Sequence, residues 1–290
     1  MRRFFLLSCF IYSISLSASD IKMHLIEEDQ KITPQTFHIS KGDVSFDLMG
    51  TQHNFPYKWL HPKAYQLIES STLFVSEIEP LSEEEKIILC QQNFPRRPSD
   101  QASFDKLFQT QEYKQLPSPL KIAFQEIVNY ELNFGFTLSL FSRYAYKETF
   151  MEGMDFCIEK SFQAAGKRTL GLISFKEQLC SDDSHGLSRL SFDEISSELE
   201  KQQLNFSCFF YLEDPSPRSY PRSLDDIRQQ VKEEQFLNDR DPAFIQKSIR
   251  IATKNPEDKV LVGVGIFHLP FMLDAYTSDG WTVTKLFEDQ

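Results

Sequence analysis

The 290-residue chain contains only 10 glycines, which leaves little material for loops that wrap a phosphate group. It has neither a P-loop nor the glycine pattern of dinucleotide-binding proteins. It also lacks the HExxH motif of zinc peptidases and the Gly-x-Ser-x-Gly motif of serine hydrolases. Nucleotide-dependent enzymes and the commonest hydrolase chemistries therefore have no support in the sequence.

Cysteines are few and far apart. Four lie beyond the N-terminal segment, at Cys90, Cys157, Cys180 and Cys208, and this spacing does not fit a CxxC redox pair or a zinc knuckle. An oxidising compartment would permit disulfides between them, and buried thiols are the alternative. The spacing does not decide between the two.

Positive charge is also scarce. The chain carries 31 basic and 42 acidic residues, a net charge of -11, and Arg96–Arg97 is the most basic spot. We therefore predict no nucleic-acid partner and no binding to an anionic membrane surface. The 41% hydrophobic content is typical of a globular protein, and we expect most of the 27 phenylalanines in its core.

The N-terminus has the pattern of a secretory signal. Arg2 and Arg3 precede an apolar stretch over residues 4–16, and small residues follow at 17–19. The apolar run is shorter than the ~20 residues that span a bilayer. We expect a signal peptide over residues 1–19, no stable membrane span after its cleavage, and an exported protein, periplasmic or secreted, with a single domain over 20–290.

The order strand, Gly-x-x-His turn, helix, strand occurs early in the mature chain. Residues 44–49 predict a strand, and the turn from Gly50 to His53 follows it. We expect a helix over Pro62–Ser70, because proline at the first helical position loses no hydrogen bond. Leu73–Ile78 then predicts a second strand.

The same order recurs near the end of the chain. Residues 259–264 predict a buried strand, and Gly265 opens a turn that ends at His268. A short helix over 273–278 and a last strand over 281–286 complete the second copy. We therefore predict an α/β fold in which the two half-units form a central sheet and their histidine turns meet at one site.

The middle of the chain predicts helices packed around this sheet. Residues 119–146 carry apolar side chains at the spacing of one helix face, and Ser191 with Glu194 has capping-box spacing. We interpret Asp241 as a helix cap, with Pro242 at the first helical position. The predicted elements also include helices over 152–165, 191–210, 224–237 and 241–254, a strand over 169–173, a helical segment over 175–179 and a Pro-rich loop over 214–222.

Two histidines occupy the same place in the repeated pattern. His53 and His268 each end a turn that follows a strand, where glycine removes the Cβ that would block close approach. Neutral imidazoles are common metal ligands, and a carboxylate from Glu77 or Glu79 would complete a site with a position open for water. These two glutamates are two residues apart in a predicted strand, so we expect them on one face. The alternatives are structural histidines or a cysteine nucleophile paired with one of them.

Several short sequence blocks are informative because of the order in which they occur along the chain. They are LMGTQH (48–53), LFVSEIE (73–79), GMD (153–155), AAGK (164–167), GL (171–172), EQ (177–178), DRD (239–241), VGVGIFHL (262–269) and GWTV (280–283). In this order they resemble the TraB/GumN family, which includes the Tiki proteases, over nearly the whole mature chain. The resemblance implies an α/β fold with both Gly-x-x-His motifs at one site. For the Tiki members it also implies divalent-metal-dependent hydrolysis of peptides.

The resemblance also implies a set of site residues. His53, Glu77 and His268 would be metal ligands or neighbours of the metal, and Asp155 and Arg240 would line the site. Mixed nitrogen and oxygen ligands are compatible with manganese, cobalt and zinc, so they do not decide which ion binds. The expected function is a divalent-metal-dependent hydrolase that acts on a peptide or protein.

Some of these residues have more than one interpretation. Glu77 or Glu79 is the candidate base. Arg240 has a guanidinium fork that can hold a substrate carboxylate or stabilise an oxyanion, and a surface ion pair is its alternative role. Asp241 also lines the site by the resemblance, but we favour its role as a helix cap.

One residue departs from the family pattern. Many relatives have a glutamate where this chain has Ile173, which can neither bind a metal nor accept a proton. Glu177, about one helical turn away, is a candidate substitute. Ile173 favours the second hypothesis for the chain, a non-catalytic family member that binds a peptide or another ligand in the same cleft.

Overall fold

The computed structural model of the protein describes residues 31–52, 57–149, 154–177, 187–210, 223–233 and 240–287. Several predicted features lie outside these residues, among them the signal peptide over 1–19, His53, Cys180 and the Pro-rich loop over 214–222. The ends of the helical segments predicted over 175–179 and 224–237 also lie outside them. Among the described residues, no helix combines the length and the apolarity that crossing a membrane requires.

Six strands of the described residues form one sheet. They are β1 (Thr36–Lys41), β2 (Val44–Thr51), β3 (Leu73–Ile78), β4 (Arg168–Ile173), β5 (Val260–Gly265) and β6 (Thr282–Lys285). Their order in the sheet is β4-β3-β5-β2-β1-β6. The four strands from β4 to β2 run parallel, whereas β1 pairs antiparallel with both β2 and β6. The predicted α/β class is confirmed, because strands of both half-units join this sheet.

Helices account for most of the remaining described residues. They are α1 (Pro62–Ser70), α2 (Glu83–Asn93), α3 (Asp100–Gln109), α4 (Gln111–Gln115), α5 (Ser118–Val128), α6 (Phe134–Thr149), α7 (Met154–Ala164), α8 (Phe192–Lys201), α9 (Leu224–Glu233), α10 (Asp241–Lys254) and α11 (Leu269–Ser278). Short 3₁₀ turns lie at Tyr57–Trp59, Leu187–Arg189, Phe206–Phe209 and Ile266–His268.

The chain divides into two compact units. The sheet unit is drawn from Lys22–Pro80, Met151–Phe175 and Pro217–Gln290, and it holds all six strands with α1, α7, α9, α10 and α11. The helical unit is drawn from Leu81–Phe150 and Lys176–Ser216, and it holds α2 to α6 and α8. The turn from Gly265 to His268 therefore belongs to the sheet unit.

The core of the sheet unit is centred on β5. Every residue of this strand except Gly265 is buried, and a parallel strand covered on both faces has a continuous apolar sequence. The ring of Phe74 packs against the strand where Gly263 has no side chain, because a Cβ there would lie 2.9 Å from the ring. Helices α7, α10 and α11 pack against the sheet.

Phenylalanine dominates the core of the helical unit. Phe104, Phe124, Phe134, Phe141 and Phe210 are fully buried. The rings of Phe124 and Phe141 meet edge to face with centroids 4.8 Å apart, a favourable geometry for two aromatic quadrupoles. The expected core location is confirmed for these five residues.

The helical prediction for residues 119–146 is confirmed, but the segment is not one continuous helix. The structure has two helices there, because α5 ends at Val128 and α6 begins at Phe134. Between them Glu131 adopts a left-handed φ of 56°, and Leu132 forms a β-bridge with Pro95. Leu132 is fully buried, so the apolar pattern continues through the turn and conceals it.

Other boundaries also differ from the predictions. α8 ends at Lys201 instead of near residue 210, and Gln203 follows with a left-handed φ of 58°. α11 begins at Leu269 instead of 273, because the first turn of a helix accepts Pro270 without losing a bond. Neither β1 nor the helices α2 to α4 were predicted.

Candidate functional site

Two of the predicted metal ligands meet where β3 and β5 end. Glu77 lies in β3, and His268 ends the 3₁₀ turn that follows β5. Parallel neighbouring strands bring their carboxyl ends to one edge of a sheet, and there His268 Nε2 lies 3.6 Å from Glu77 Oε1. Both residues are buried, at 3% and 9% exposure.

Gly265 makes room for this pair. Its backbone N–H donates a hydrogen bond to Glu77 Oε1. A Cβ on Gly265 would lie 3.0 Å from that oxygen and 3.4 Å from His268 Cδ2, which is tighter than ordinary contact. Glycine at this position therefore lets the carboxylate bind the backbone beside the imidazole.

Helix α10 contacts the other side of the imidazole. His268 Nδ1 lies 2.6 Å from Asp241 Oδ1, and the ring of Phe244 packs on the imidazole with centroids 4.9 Å apart. Our interpretation of Asp241 as the helix cap is wrong. Arg240 is the cap residue and Asp241 is the first residue of α10. The carboxylate of Asp241 contacts His268 instead of capping the helix.

Arg240 lies next to the same helix turn. Its guanidinium carbon is 5.6 Å from the centroid of the Phe244 ring, whose burial is complete. One aromatic ring therefore contacts both Arg240 and His268. The sequence analysis missed Phe244, although its position one helical turn after Asp241 is a usable signal.

Glu79 and Asp155 occupy other parts of the sheet unit. Glu79 is exposed and follows the end of β3, with its N–H bonded to the carbonyl of Ile173 at 2.8 Å. The expectation that both glutamates lie in one strand is therefore wrong, because β3 ends at Ile78, and Glu79 is exposed whereas Glu77 is buried. Asp155 is the second residue of α7, and its Oδ2 atom is buried.

Thr51 is a site neighbour that the sequence analysis did not single out. It ends β2 and pairs directly with Gly265 of β5. Its side chain is 1% exposed, and within the described part of the chain its hydroxyl has no hydrogen-bond partner. The Oε1 atom of Gln52 is likewise buried without a partner there. His53, the next residue, lies outside the described residues.

The model of the TraB/PrgY/gumN family matches residues 36–285. The chain belongs to this family. The match begins at the first residue of β1 and ends at the last residue of β6, so it contains the whole sheet. The comparisons found no match among curated proteins and none among solved structures.

The donors at this TraB/PrgY/gumN site are compatible with a divalent metal. An ion can contact both Glu77 Oε1 and His268 Nε2, because their 3.6 Å separation is shorter than two ligand bonds of ~2.1 Å each. In the residues that the structure describes, no group of three or more His, Cys, Asp and Glu could hold a metal. His53, the third ligand that the sequence predicts, lies outside them.

Proposed function

We propose that the chain is a divalent-metal-dependent hydrolase that acts on a peptide or protein. The observation that carries the proposal is the pairing of Glu77 with His268 at the carboxyl end of the parallel strands, where α/β proteins commonly bind ligands. Burial of both residues supports it, because the attraction between a carboxylate and a bound cation is stronger where water is excluded.

The proposed metal ligands are Glu77, His268 and His53. Thr51 pairs with Gly265, so the strand that leads to His53 ends at the same edge of the sheet as the Glu77–His268 pair. Carboxylate oxygen with imidazole nitrogen suits manganese, cobalt or zinc. A divalent ion held there would supply Lewis acidity for polarising a peptide carbonyl.

The remaining proposed roles belong to residues of the sheet unit. Glu79 has an exposed carboxylate beyond β3, so we assign it as the candidate base. Arg240 beside Phe244 offers a fixed cation for a substrate carboxylate or a developing oxyanion. Asp155 is proposed as a further residue that lines the site.

Elemental mass spectrometry of the purified protein tests the metal site. We expect near-stoichiometric manganese, cobalt or zinc after incubation with each ion, and loss of the metal in both His53→Ala and His268→Ala. His38→Ala is the matched control, because His38 also pairs with an aspartate, Asp47, at 2.8 Å, but lies on β1. Wild-type protein that retains no metal would contradict the proposal.

Hydrolysis is measured separately on the metal-loaded protein. A peptide library analysed by mass spectrometry should give cleavage products that disappear with Glu77→Gln and with a chelator. His38→Ala should cleave at the wild-type rate. Metal retention without any cleavage would contradict the proposed hydrolase activity but not the proposed metal site.

A non-catalytic role is the second candidate, and Ile173 favours it. This residue ends β4 beside β3, at the same edge of the sheet as Glu77, and it is 5% exposed. The carboxylate of many relatives is thus replaced by a buried apolar side chain. Peptide binding that survives removal of the metal, without turnover, would support this function over hydrolysis.

We also propose that the protein acts after export, because the predicted signal peptide over residues 1–19 would direct it out of the cytoplasm. N-terminal sequencing of the protein recovered from the periplasm or medium tests this. A mature N-terminus near residue 20 is expected. Full-length protein retained in the cytoplasm would contradict it.

A further inference from the structure

We infer that Asp241 is a positioning residue that keeps the proton of His268 on Nδ1 and so presents Nε2 as a metal ligand. The inference rests on the metal site proposed above and identifies what prepares one of its ligands. Asp241 Oδ1 and His268 Nδ1 are 2.6 Å apart. The two residues are 5% and 3% exposed, so water competes little for this contact.

The chemistry of the two groups decides where the proton lies. An ionised carboxylate only accepts hydrogen bonds, whereas a neutral imidazole has one N–H and one nitrogen with a lone pair. Asp241 is the first residue of α10, where the positive end of the helix dipole favours a negative side chain. The N–H of His268 is therefore on Nδ1 and donates to Asp241, which places the lone pair on Nε2.

This proton position determines what His268 and Glu77 can do together. His268 Nε2 lies 3.6 Å from Glu77 Oε1, which is too long for a hydrogen bond. The lone pair of Nε2 therefore faces a carboxylate oxygen. A nitrogen lone pair and a carboxylate oxygen at this distance can both bind one cation. A proton on Nε2 would instead point at the carboxylate and prevent the nitrogen from binding a metal.

Helix α10 also holds the plane of the ring. Phe244 lies one turn after Asp241, and its ring is tilted by 46° against the imidazole at a centroid distance of 4.9 Å. One turn of α10 thus fixes the edge of the imidazole through Asp241 and its face through Phe244. Asp241 and Phe244 therefore fix the orientation of Nε2 without any contribution from the metal itself.

Nitrogen-15 NMR of the full-length protein labelled at histidine tests the proton position without any metal or substrate. The spectrum of His268→Gln assigns the resonances of His268. We expect the Nδ1–H tautomer in the wild type near neutral pH. Asp241→Asn keeps the shape of the side chain but can donate through its amide, so we expect it to shift the ring toward the Nε2–H tautomer. A wild-type ring protonated on Nε2 would overturn the inference.

Calorimetric titration with Co²⁺ gives the second readout. Asp241→Asn should weaken Co²⁺ binding about 10- to 100-fold, the usual effect of losing the partner of a ligand histidine. Asp100→Asn is the matched control, because Asp100 is also a buried aspartate at the first position of a helix, but in the helical unit. It should leave the tautomer and the Co²⁺ affinity unchanged.

The outcomes separate the inference from the proposed function. Wild-type tautomer and wild-type Co²⁺ affinity in Asp241→Asn would overturn the positioning role. A tautomer that depends on Asp241, in a protein that binds no divalent ion, would support the positioning role and overturn the proposed metal site.

Discussion

The backbone N–H of Gly265 donates a hydrogen bond to the carboxylate of Glu77, so a glycine of β5 anchors the acidic side chain of β3. The same glycine lies beside His268, whose Cδ2 would be 3.4 Å from any Cβ at this position. Because the three residues share one small space, the identity of residue 265 controls the separation of the two candidate ligands.

Gly265→Ala should therefore disturb the site directly. The added methyl group would lie 3.0 Å from Glu77 Oε1, which requires the carboxylate to move away from its backbone donor. We expect metal retention to fall at least tenfold and the free energy of unfolding to fall by about 1–3 kcal/mol, the usual cost of overpacking. Elemental analysis and urea unfolding measure the two effects.

Gly263→Ala is the matched control on the same strand. Its methyl group would press on the ring of Phe74 at 2.9 Å and lie 3.4 Å from Thr51 Cγ2, so its three nearest atoms belong to neither candidate ligand. We expect a similar loss of stability of about 1–3 kcal/mol, with metal retention per folded molecule unchanged. Equal loss of metal in both variants would mean that general destabilisation, and not the site, explains the effect of Gly265→Ala.

The sheet could be predicted better than the details of the site. β3 and β5 are buried parallel strands, so their apolar runs predict them, and the glycine that opens each Gly-x-x-His turn is visible in the sequence. The partner of His268 could not be found that way. Asp241 followed by proline has the local pattern of a helix cap, and only the tertiary fold brings α10 to the turn after β5.

Strand ends posed a similar difficulty. Alternation along β3 predicts that Glu77 and Glu79 lie on one face, but the strand ends at Ile78, although the N–H of Glu79 still donates to the carbonyl of Ile173 in β4. Pro80, two residues after Ile78, is a local sequence signal for this end, because proline cannot donate to the ladder of a central strand. Gly171 explains the departure, since a Cβ there would lie 2.2 Å from the backbone nitrogen of Glu79, so the neighbouring strand accepts this path only with glycine.

Thr51→Val tests whether the buried hydroxyl beside the site has a function. A hydroxyl without a partner in the described residues costs stability, so its replacement by a methyl group should leave the free energy of unfolding unchanged or raise it by about 1 kcal/mol. If the hydroxyl binds a substrate or water, turnover should fall although stability does not. Urea unfolding and the peptide assay together give the result.

Thr36→Val provides the comparison for this substitution. Thr36 is also fully buried, but its hydroxyl donates to the carbonyl of Pro34 at 2.9 Å. Its loss leaves a buried acceptor unpaired and should lower stability by about 1–2 kcal/mol without a specific effect on turnover. Equal destabilisation by both variants would show that the Thr51 hydroxyl is bonded in the folded protein.

The hydroxyls of Ser248 and Tyr276 form a buried contact of 2.6 Å between α10 and α11. Burial raises the pKa of Tyr276 well above its ordinary value, more than the hydrogen bond with Ser248 lowers it. Tyr276→Phe removes one partner and should lower the free energy of unfolding by about 1 kcal/mol. Ser248→Ala combined with Tyr276→Phe should cost less than the sum of the single changes, and additive costs would contradict a shared bond.

Protonation of Asp100 at low pH is expected to lower the stability of the helical unit. Burial raises the pKa of Asp100, but the hydrogen bonds from Arg97 lower it further, so the folded-state pKa is below the ordinary value. The carboxylate is 1% exposed and lies 2.7 Å from the guanidinium of Arg97. A depressed pKa contributes stability that is present above the unfolded-state pKa and is lost as the pH falls through the folded-state pKa.

Asp100→Asn should therefore be less stable than the wild type by about 2 kcal/mol near pH 7, and the difference should shrink as the pH falls below about 4. Urea unfolding at a series of pH values measures it. Asp193→Asn is the control, because Asp193 pairs with Lys106 on the surface, where ion pairs contribute little at any pH. A difference that stays constant down to pH 3 would mean that the ionised form of Asp100 is not what stabilises the fold, and its role would then be steric.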